Sequence, residues 1–161
     1  MNTSDLERLN RTDTIPKNLT IMVIDDSKTV RRTAEILLSE HGCKVLTAND
    51  GFESLAMIAN YRPDIIFVDI MMPRLDGYQT CALIKGNPEY RDIPVVMLSS
   101  KDSIFDMAHG RLSGSESYIT KPFTRSDLIS AIQQHVSHRQ EADLNSGIDN
   151  ELSELDLELT L

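Results

Sequence analysis

The chain has 161 residues, 40% of them apolar, with a net charge of −9 at pH 7, which suits one globular domain with some additional chain. It contains no run of 18 or more apolar residues and no basic-then-apolar start, so neither a membrane span nor a secretory signal is predicted, and we expect a cytoplasmic protein. Its two cysteines, Cys43 and Cys81, form no CxxC or Cys/His metal pattern, which indicates small apolar residues in or near the core.

A polar N-terminal segment precedes the first predicted strand. In residues 1–18 acids and bases are balanced, and we expect this segment to be flexible. From residue 19 onward, short apolar runs predict five β-strands. These runs are LTIMVI (19–24), CKVLTA (43–48), DIIFV (64–68), PVVML (94–98) and SYIT (117–120).

Segments with helical spacing lie between and after these strands. Apolar residues recur at this spacing in the first two segments: Val30, Ala34, Leu37 and Leu38, then Phe52, Leu55, Ala56 and Ala59. The third segment covers roughly 78–85, and the fourth, around 104–112, is the weakest because Gly110 interrupts it. Thr124 and Asp127 predict a capping-box start for the last segment. Its apolar face consists of Leu128, Ile129, Ile132 and Val136.

Five successive strand-helix units predict a parallel sheet, because parallel strands need crossover connections. The middle runs lack polar alternation, as is typical of strands that helices cover on both faces. We therefore predict a doubly wound α/β domain over residues 19–139, with five strands and five helices. In such a sheet, functional groups gather at the carboxyl ends of the strands, where the strand order reverses.

The net charge belongs to the C-terminal segment. Residues 140–161 contain seven acids and no lysine or arginine, whereas residues 1–139 hold 18 acids and 16 bases. No segment concentrates basic residues, so no nucleic-acid surface is predicted. We expect the acidic segment to be disordered; the alternative is a segment that folds on a partner, because its leucines fit a helix or a strand. The helical set is Leu152, Leu155 and Leu159, and the strand set is Leu155, Leu157, Leu159 and Leu161.

Chemically active side chains follow the predicted strands. Asp25 and Asp26 come after the first, Asp69 after the third, Ser99 after the fourth and Lys121 after the fifth. If these strands are neighbours, three carboxylates would raise one another's pKa strongly unless a cation intervenes. An oxygen-only cluster without histidine or cysteine suits Mg²⁺ and disfavours zinc.

A strand-end carboxylate beside Mg²⁺ can attack a phosphoryl group and form an aspartyl-phosphate. The metal, the Lys121 ammonium, the Ser99 hydroxyl and the backbone N–H groups after Asp69 could neutralise the phosphoryl oxygens. Each residue alone has a simpler interpretation: Asp26 or Asp76 could be a helix N-cap, and a lysine before proline is usually solvated. The full set, in this order on these strands, favours the phosphoryl-transfer interpretation.

Four motifs resemble the receiver domain of two-component response regulators, the CheY-like family. They are VIDDS (23–27), VDIMMPRLDGYQ (68–79), PVVMLSSK (94–101) and YITKPF (118–123), and the resemblance covers about residues 19–136. It implies a flavodoxin-like sheet with strand order 2-1-3-4-5. It also implies a phosphoacceptor and signalling protein that is not an enzyme acting on an outside substrate.

The resemblance assigns a role to each matching position. Asp69 would be the phosphoacceptor, and Mg²⁺ would be held by Asp25, Asp26, Asp69 and the backbone carbonyl of Met71. Ser99 and Lys121 would bind the phosphoryl oxygens, the bond before Pro122 would be cis, and Tyr118 would be the aromatic switch. Ser99 stands where threonine is more common, so its coupling to Tyr118 would be looser. Met71 and Lys101 occupy positions that tune phosphoryl loss, and we expect a slowly decaying phosphoform.

Partners also follow from the resemblance. Only 25 residues follow Val136, too few for a DNA-binding output domain, so a stand-alone receiver, monomeric or weakly dimeric, that acts by binding another protein is expected. Residues 97–128 are most similar to regulators of type IV pilus twitching motility, which implies a chemotaxis-like histidine kinase or phosphotransfer domain as donor and the pilus machinery as target. The alternative is a chemotaxis-type or other phosphorelay receiver with a different target.

Two other classes of protein fit the sequence less well. An aspartate-nucleophile phosphohydrolase would carry a DxD arrangement after the first strand and a cap insertion, and neither is present. A flavin-binding electron carrier of the same fold would carry a phosphate loop rich in serine and threonine at that place. The sequence has DDSKT instead, and its two acids would repel a flavin phosphate.

Overall fold

The computed structural model describes residues 15–100 and 113–136. The strands are β1 (Thr20–Ile24), β2 (Lys44–Ala48), β3 (Ile65–Asp69), β4 (Val95–Ser99) and β5 (Ser117–Thr120). The helices are α1 (Lys28–Ser39), α2 (Gly51–Tyr61), α3 (Gly77–Gly86) and a final helix over residues 125–136.

The five strands form one parallel sheet in the order β2-β1-β3-β4-β5, which confirms the predicted strand order. Every residue of β3 and β4 is buried, as expected for strands covered on both faces. Their predicted ends were one residue too early, since Asp69 and Ser99 are the last residues of their strands rather than the first residues after them. A strand can continue through a charged residue because its backbone hydrogen bonds do not depend on the polarity of the side chain. Asp69 pairs with Leu98, and the Ile70 N–H donates to the Leu98 carbonyl at 3.1 Å.

The core consists of two apolar clusters, one on each face of the sheet. On one face, α1 and the final helix contribute Leu38 and Ile132, which pack with β3 residues such as Phe67. On the other face, α2 and α3 contribute Ile58 and Ile84. Since helices cover both faces, the doubly wound arrangement is confirmed for the described residues.

Side-chain caps define where the helices begin. Ser27, not Asp26, caps α1 by accepting from the Val30 N–H at 3.3 Å. Asp76 caps α3 in a reciprocal capping box with Gln79, and such caps each contribute about 1 kcal/mol. The predicted box at the final helix is confirmed. There the Thr124 N–H donates to the Asp127 carboxylate at 2.8 Å and the Asp127 N–H donates to Thr124 Oγ1 at 3.2 Å.

The apolar residues predicted for α2 differ in their burial: Leu55 packs against the core, but the other three do not. Phe52, Ala56 and Ala59 are exposed, and Phe52 keeps 54% of its surface accessible. The buried positions are Gly51, Ser54 and Ile58. Small residues let α2 approach α3 closely, and the Ser54 hydroxyl can be buried because it donates to the Gly51 carbonyl at 2.6 Å.

The edge strand β5 is tied to β4 at both ends. At its amino end, the Glu116 N–H donates to the Val95 carbonyl at 2.9 Å, and the Glu116 carboxylate accepts from the Val95 N–H. Lys85 Nζ pairs with the same carboxylate at 2.5 Å. At its carboxyl end, the Lys121 N–H donates to the Ser99 carbonyl at 2.6 Å. These contacts fix β5 along its length.

Three of the predicted segments lie partly or wholly outside the described residues. They are the N-terminal segment 1–18, the fourth helical segment 104–112 and the acidic segment 140–161. The boundaries at residues 18 and 139 therefore stay predictions. Within 15–100 and 113–136, no helix is long and apolar enough to cross a membrane.

Both cysteines are buried and form no disulfide bond, in agreement with the interpretation of the sequence. Burial raises the pKa of the Cys43 thiol, and burial raises that of Cys81 to about 11. Both thiols should therefore stay protonated and inaccessible in the native chain at about pH 8. We expect an alkylating reagent to add no mass to the native protein and two labels to the unfolded protein; rapid native labelling would contradict this burial.

Candidate functional site

The candidate site lies at the carboxyl edge of the sheet, where four neighbouring strands end. Asp25 and Asp26 directly follow β1, Asp69 ends β3, and Ser99 ends β4. Lys121 directly follows β5. In the sheet, β1 lies between β2 and β3. The strand that follows β1 in the chain is on one side of it, and the later strands are on the other. The site therefore lies where the strand order reverses.

Three carboxylates form a compact acidic cluster at this edge. One oxygen from each of Asp25, Asp26 and Asp69 lies within 4.8 Å of the others. Asp25 and Asp69 are buried, whereas Asp26 is exposed. Solvent therefore reaches the cluster at Asp26.

Backbone and side-chain contacts hold Asp25 in place. Its Oδ1 accepts from the Ser27 N–H at 2.9 Å, and its N–H donates to the Ala48 carbonyl at 3.2 Å. Arg31 donates to the Asp25 carbonyl at 2.7 Å and to Asn49 Oδ1 at 3.1 Å. The sequence prediction missed Arg31, because a contact with a backbone carbonyl leaves no local signal in the sequence.

Lys121 supplies the positive charge of the site. Its Nζ lies 2.9 Å from Asp69 Oδ1 and 3.4 Å from Asp25 Oδ2. Burial alone would lower the pKa of Lys121, but the hydrogen bond to Asp69 and the two carboxylate charges outweigh it and raise the pKa. The Lys121–Pro122 peptide bond is cis, as the resemblance implied.

The charge of Asp69 is only partly compensated. Burial and the nearby Asp25 charge together raise the pKa of Asp69 to about 6, against the opposing effects of Lys121 and the Met71 N–H. Three carboxylates against one ammonium retain negative charge, and all the donors are oxygens. This donor set fits a hard divalent cation such as Mg²⁺.

The loop after β3 approaches the Asp69 backbone so closely that only glycine fits at its end. The Gly77 N–H donates to the Ile70 carbonyl at 2.9 Å, and a Cβ on Gly77 would lie 2.3 Å from the Asp69 carbonyl oxygen. Within the loop, the Met71 N–H donates to Asp69 Oδ1 at 3.3 Å. The Met71 side chain is 75% exposed.

The remaining predicted residues differ in their placement. Ser99 is buried at the end of β4, beside the backbone of Lys121. Tyr118 lies in β5 opposite Met97 and is 45% exposed, so the structure does not bring it into the acidic cluster. Lys101 lies outside the described residues.

Comparison with known proteins identifies close relatives. The model of the response regulator receiver domain matches residues 21–133. Protein PilG of Pseudomonas aeruginosa is 64% identical over 118 residues, which are 73% of this chain and 87% of PilG.

Solved structures with the same fold include two receiver proteins. The chemotaxis protein CheY4 of Vibrio cholerae has a TM-score of 0.70 at 28% identity, covering 73% of this chain and 98% of CheY4. The receiver domain of a sensor histidine kinase from Pseudomonas aeruginosa has a TM-score of 0.69 at 25% identity, covering 74% of this chain and 98% of that domain. That domain was solved with a magnesium ion coordinated in its active site cleft.

Gly77→Ala should destabilise the protein, because the added methyl meets the backbone of Asp69 and not a movable side chain. We expect a loss of about 1–3 kcal/mol in the free energy of unfolding, measured by urea denaturation. Gly86→Ala is the matched control, since a Cβ there meets nothing within 4 Å. Equal stability of the two variants would contradict the close approach.

Proposed function

Because this chain belongs to the response regulator receiver family, we propose that it is a two-component signalling protein that accepts a phosphoryl group on Asp69. The observation that supports Asp69 is its position: a strand-end carboxylate, buried, beside Asp25 and 2.9 Å from the Lys121 ammonium. A histidine kinase or a phosphotransfer domain is the proposed donor.

The phosphotransfer step uses the Asp69 carboxylate as the nucleophile. One carboxylate oxygen attacks the phosphorus of the donor phosphohistidine and forms the acyl phosphate bond, while the bond from phosphorus to the donor nitrogen breaks and the nitrogen keeps the electron pair. The Asp69 side chain is kept near this geometry by its place in β3 and by the Met71 N–H. Positioning of this kind is the main contribution that a protein makes to phosphoryl transfer.

The acidic cluster is the proposed metal site. The carboxylates of Asp25, Asp26 and Asp69, together with the backbone carbonyl of Met71, would hold Mg²⁺. When bound, this ion supplies positive charge to the phosphoryl oxygens. Arg31 and the Ser27 N–H keep Asp25 in position for that role.

Phosphorylation of Asp69 also starts the proposed switch. The new phosphoryl oxygens pair with the Lys121 ammonium and accept a hydrogen bond from the Ser99 hydroxyl. Tyr118, which is 45% exposed, then turns inward, and the surface around β5 changes its affinity for a partner. Since Ser99 lacks the methyl of threonine, its rotamer is less restricted and its coupling to Tyr118 is correspondingly loose.

The proposed output is protein binding in the control of type IV pilus twitching motility. This target is supported by 64% identity to PilG and by the resemblance of residues 97–128 to twitching-motility regulators. We further propose that the chain acts in the cytoplasm as a monomer or weak dimer. In this proposal the chain signals through its phosphorylated state, without nucleic-acid binding, membrane insertion or an outside substrate.

Asp69→Asn should abolish phosphorylation. Incubation of the wild-type chain with acetyl phosphate and Mg²⁺ should add the mass of one phosphoryl group, because the Asp69 carboxylate is the proposed nucleophile. Intact-mass spectrometry should find no such addition in Asp69→Asn or after removal of Mg²⁺ by a chelator.

Asp92→Asn is the matched control for this experiment. Asp92 is an exposed acid outside the acidic cluster, and its variant should be phosphorylated like the wild type. Undiminished phosphorylation of Asp69→Asn would refute the assignment of the phosphoacceptor.

Met71→Asn should shorten the lifetime of the phosphorylated form severalfold. A polar amide at this exposed position can orient a water molecule toward the acyl phosphate, whereas the thioether cannot. The measurement is the decay of the phosphorylated mass after removal of acetyl phosphate. Because the side chain is 75% exposed, thermal stability should be unchanged; an unchanged or longer lifetime would exclude this role for Met71.

A further inference from the structure

Two adjoining hollows lie along α1 beside the candidate site. One, of about 190 Å³, is lined by Thr29, Val30, Thr33, Lys121, Pro122 and Phe123. The other, of about 270 Å³, is lined by Lys28, Thr29, Arg32 and Thr33. Since they share Thr29 and Thr33, they form one groove, which we call the α1 groove. It is apolar toward the loop after β5 and basic along the helix.

The basic end of the α1 groove carries positive charge that the described part of the chain neutralises only weakly. Lys28 is exposed and has no ion-pair partner among the described residues. Arg32 approaches Glu35 at 3.7 Å, but this pair is largely exposed and contributes little. The nearest other acid on the sequence, Asp26, belongs to the acidic cluster at the sheet edge. The groove therefore suits a ligand that carries both apolar side chains and negative charge.

The C-terminal segment of the chain has this composition. Residues 151–161, ELSELDLELTL, contain five leucines, four acids and no lysine or arginine. The leucines match the apolar end of the groove, and the acids match Lys28 and Arg32. The apolar character and the sign of the charge are both complementary.

The segment also starts from the correct face of the sheet. Val136, at the end of the described final helix, packs in the same apolar cluster as Leu38 of α1. Fourteen residues separate Val136 from Glu151. Thr29 lies nine residues before Leu38 on α1, or about 14 Å along the helix, and a flexible linker of fourteen residues spans roughly 20 Å, so the segment can reach the groove. Tethering raises the local concentration of the segment to the order of millimolar, so even weak contacts are populated.

We propose that the α1 groove binds residues 151–161 of the same chain, with leucines at the apolar end and acids against Lys28 and Arg32. The binding of the segment does not depend on the proposed function.

Paramagnetic relaxation in the full chain tests the binding. A nitroxide on Ser153→Cys should remain confined to that position, because Cys43 and Cys81 are buried. We expect loss of amide peak intensity at Thr29, Thr33 and Phe123 at low protein concentration, with recovery after reduction of the nitroxide. A second label at Thr160→Cys should give losses on the same groove, which excludes an effect of one substitution.

Charge reversal in the groove provides the decisive comparison. Lys28→Glu with Arg32→Glu should abolish the intensity losses, whereas Lys17→Glu with Arg91→Glu, the same charge change at exposed positions outside the groove, should preserve them. The proposal fails if the losses are absent, survive the groove reversal or map to another face. It also fails if they grow with protein concentration, because a second copy would then be the ligand. No step uses phosphorylation, so the outcome is independent of the role of Asp69.

Discussion

Lys121 places one ammonium between the buried carboxylates of Asp69 and Asp25. Two buried negative charges this close would be strongly unfavourable without a cation, and one ammonium leaves part of that repulsion in place. The folded site therefore retains net negative charge and favours the binding of a further cation. The loop after β5 has to bring Lys121 to the ends of β1 and β3, so the order of strands and the electrostatics of the site depend on each other.

The apolar core stabilises the fold despite the repulsion between the carboxylates of the acidic cluster. β3 and β4 are buried throughout and are held by apolar clusters on both faces, so the strand ends cannot move apart to relieve the repulsion. Close backbone packing at Gly77 adds a second restraint, because it holds the end of β3 against the start of α3. Stability is thus supplied by the body of the sheet, and the acidic cluster is located at its edge.

The strands and the strand-end residues of the acidic cluster could be predicted from the sequence, because apolar runs followed by charged residues are local signals. The strand order came instead from the resemblance to receiver domains. The buried face of α2 could not be predicted, since Gly51 and Ser54 are buried by close helix packing that has no hydrophobic signature. The contact of Arg31 with the Asp25 carbonyl depends on a rotamer and a helix direction, which composition does not encode. The exposure of Tyr118 likewise follows from three-dimensional packing rather than from its apolar neighbours.

The attachment of β5 at both ends restricts how a signal can travel. Glu116 joins its amino end to Val95, and the Lys121 backbone joins its carboxyl end to Ser99, so sliding the strand past β4 would break hydrogen bonds at two places at once. Side-chain rotation breaks none of them. In the proposed switch, a signal from Asp69 would therefore cross this edge by side-chain rotation on a stationary backbone, which would change the shape and chemistry of the surface without changing the sheet register.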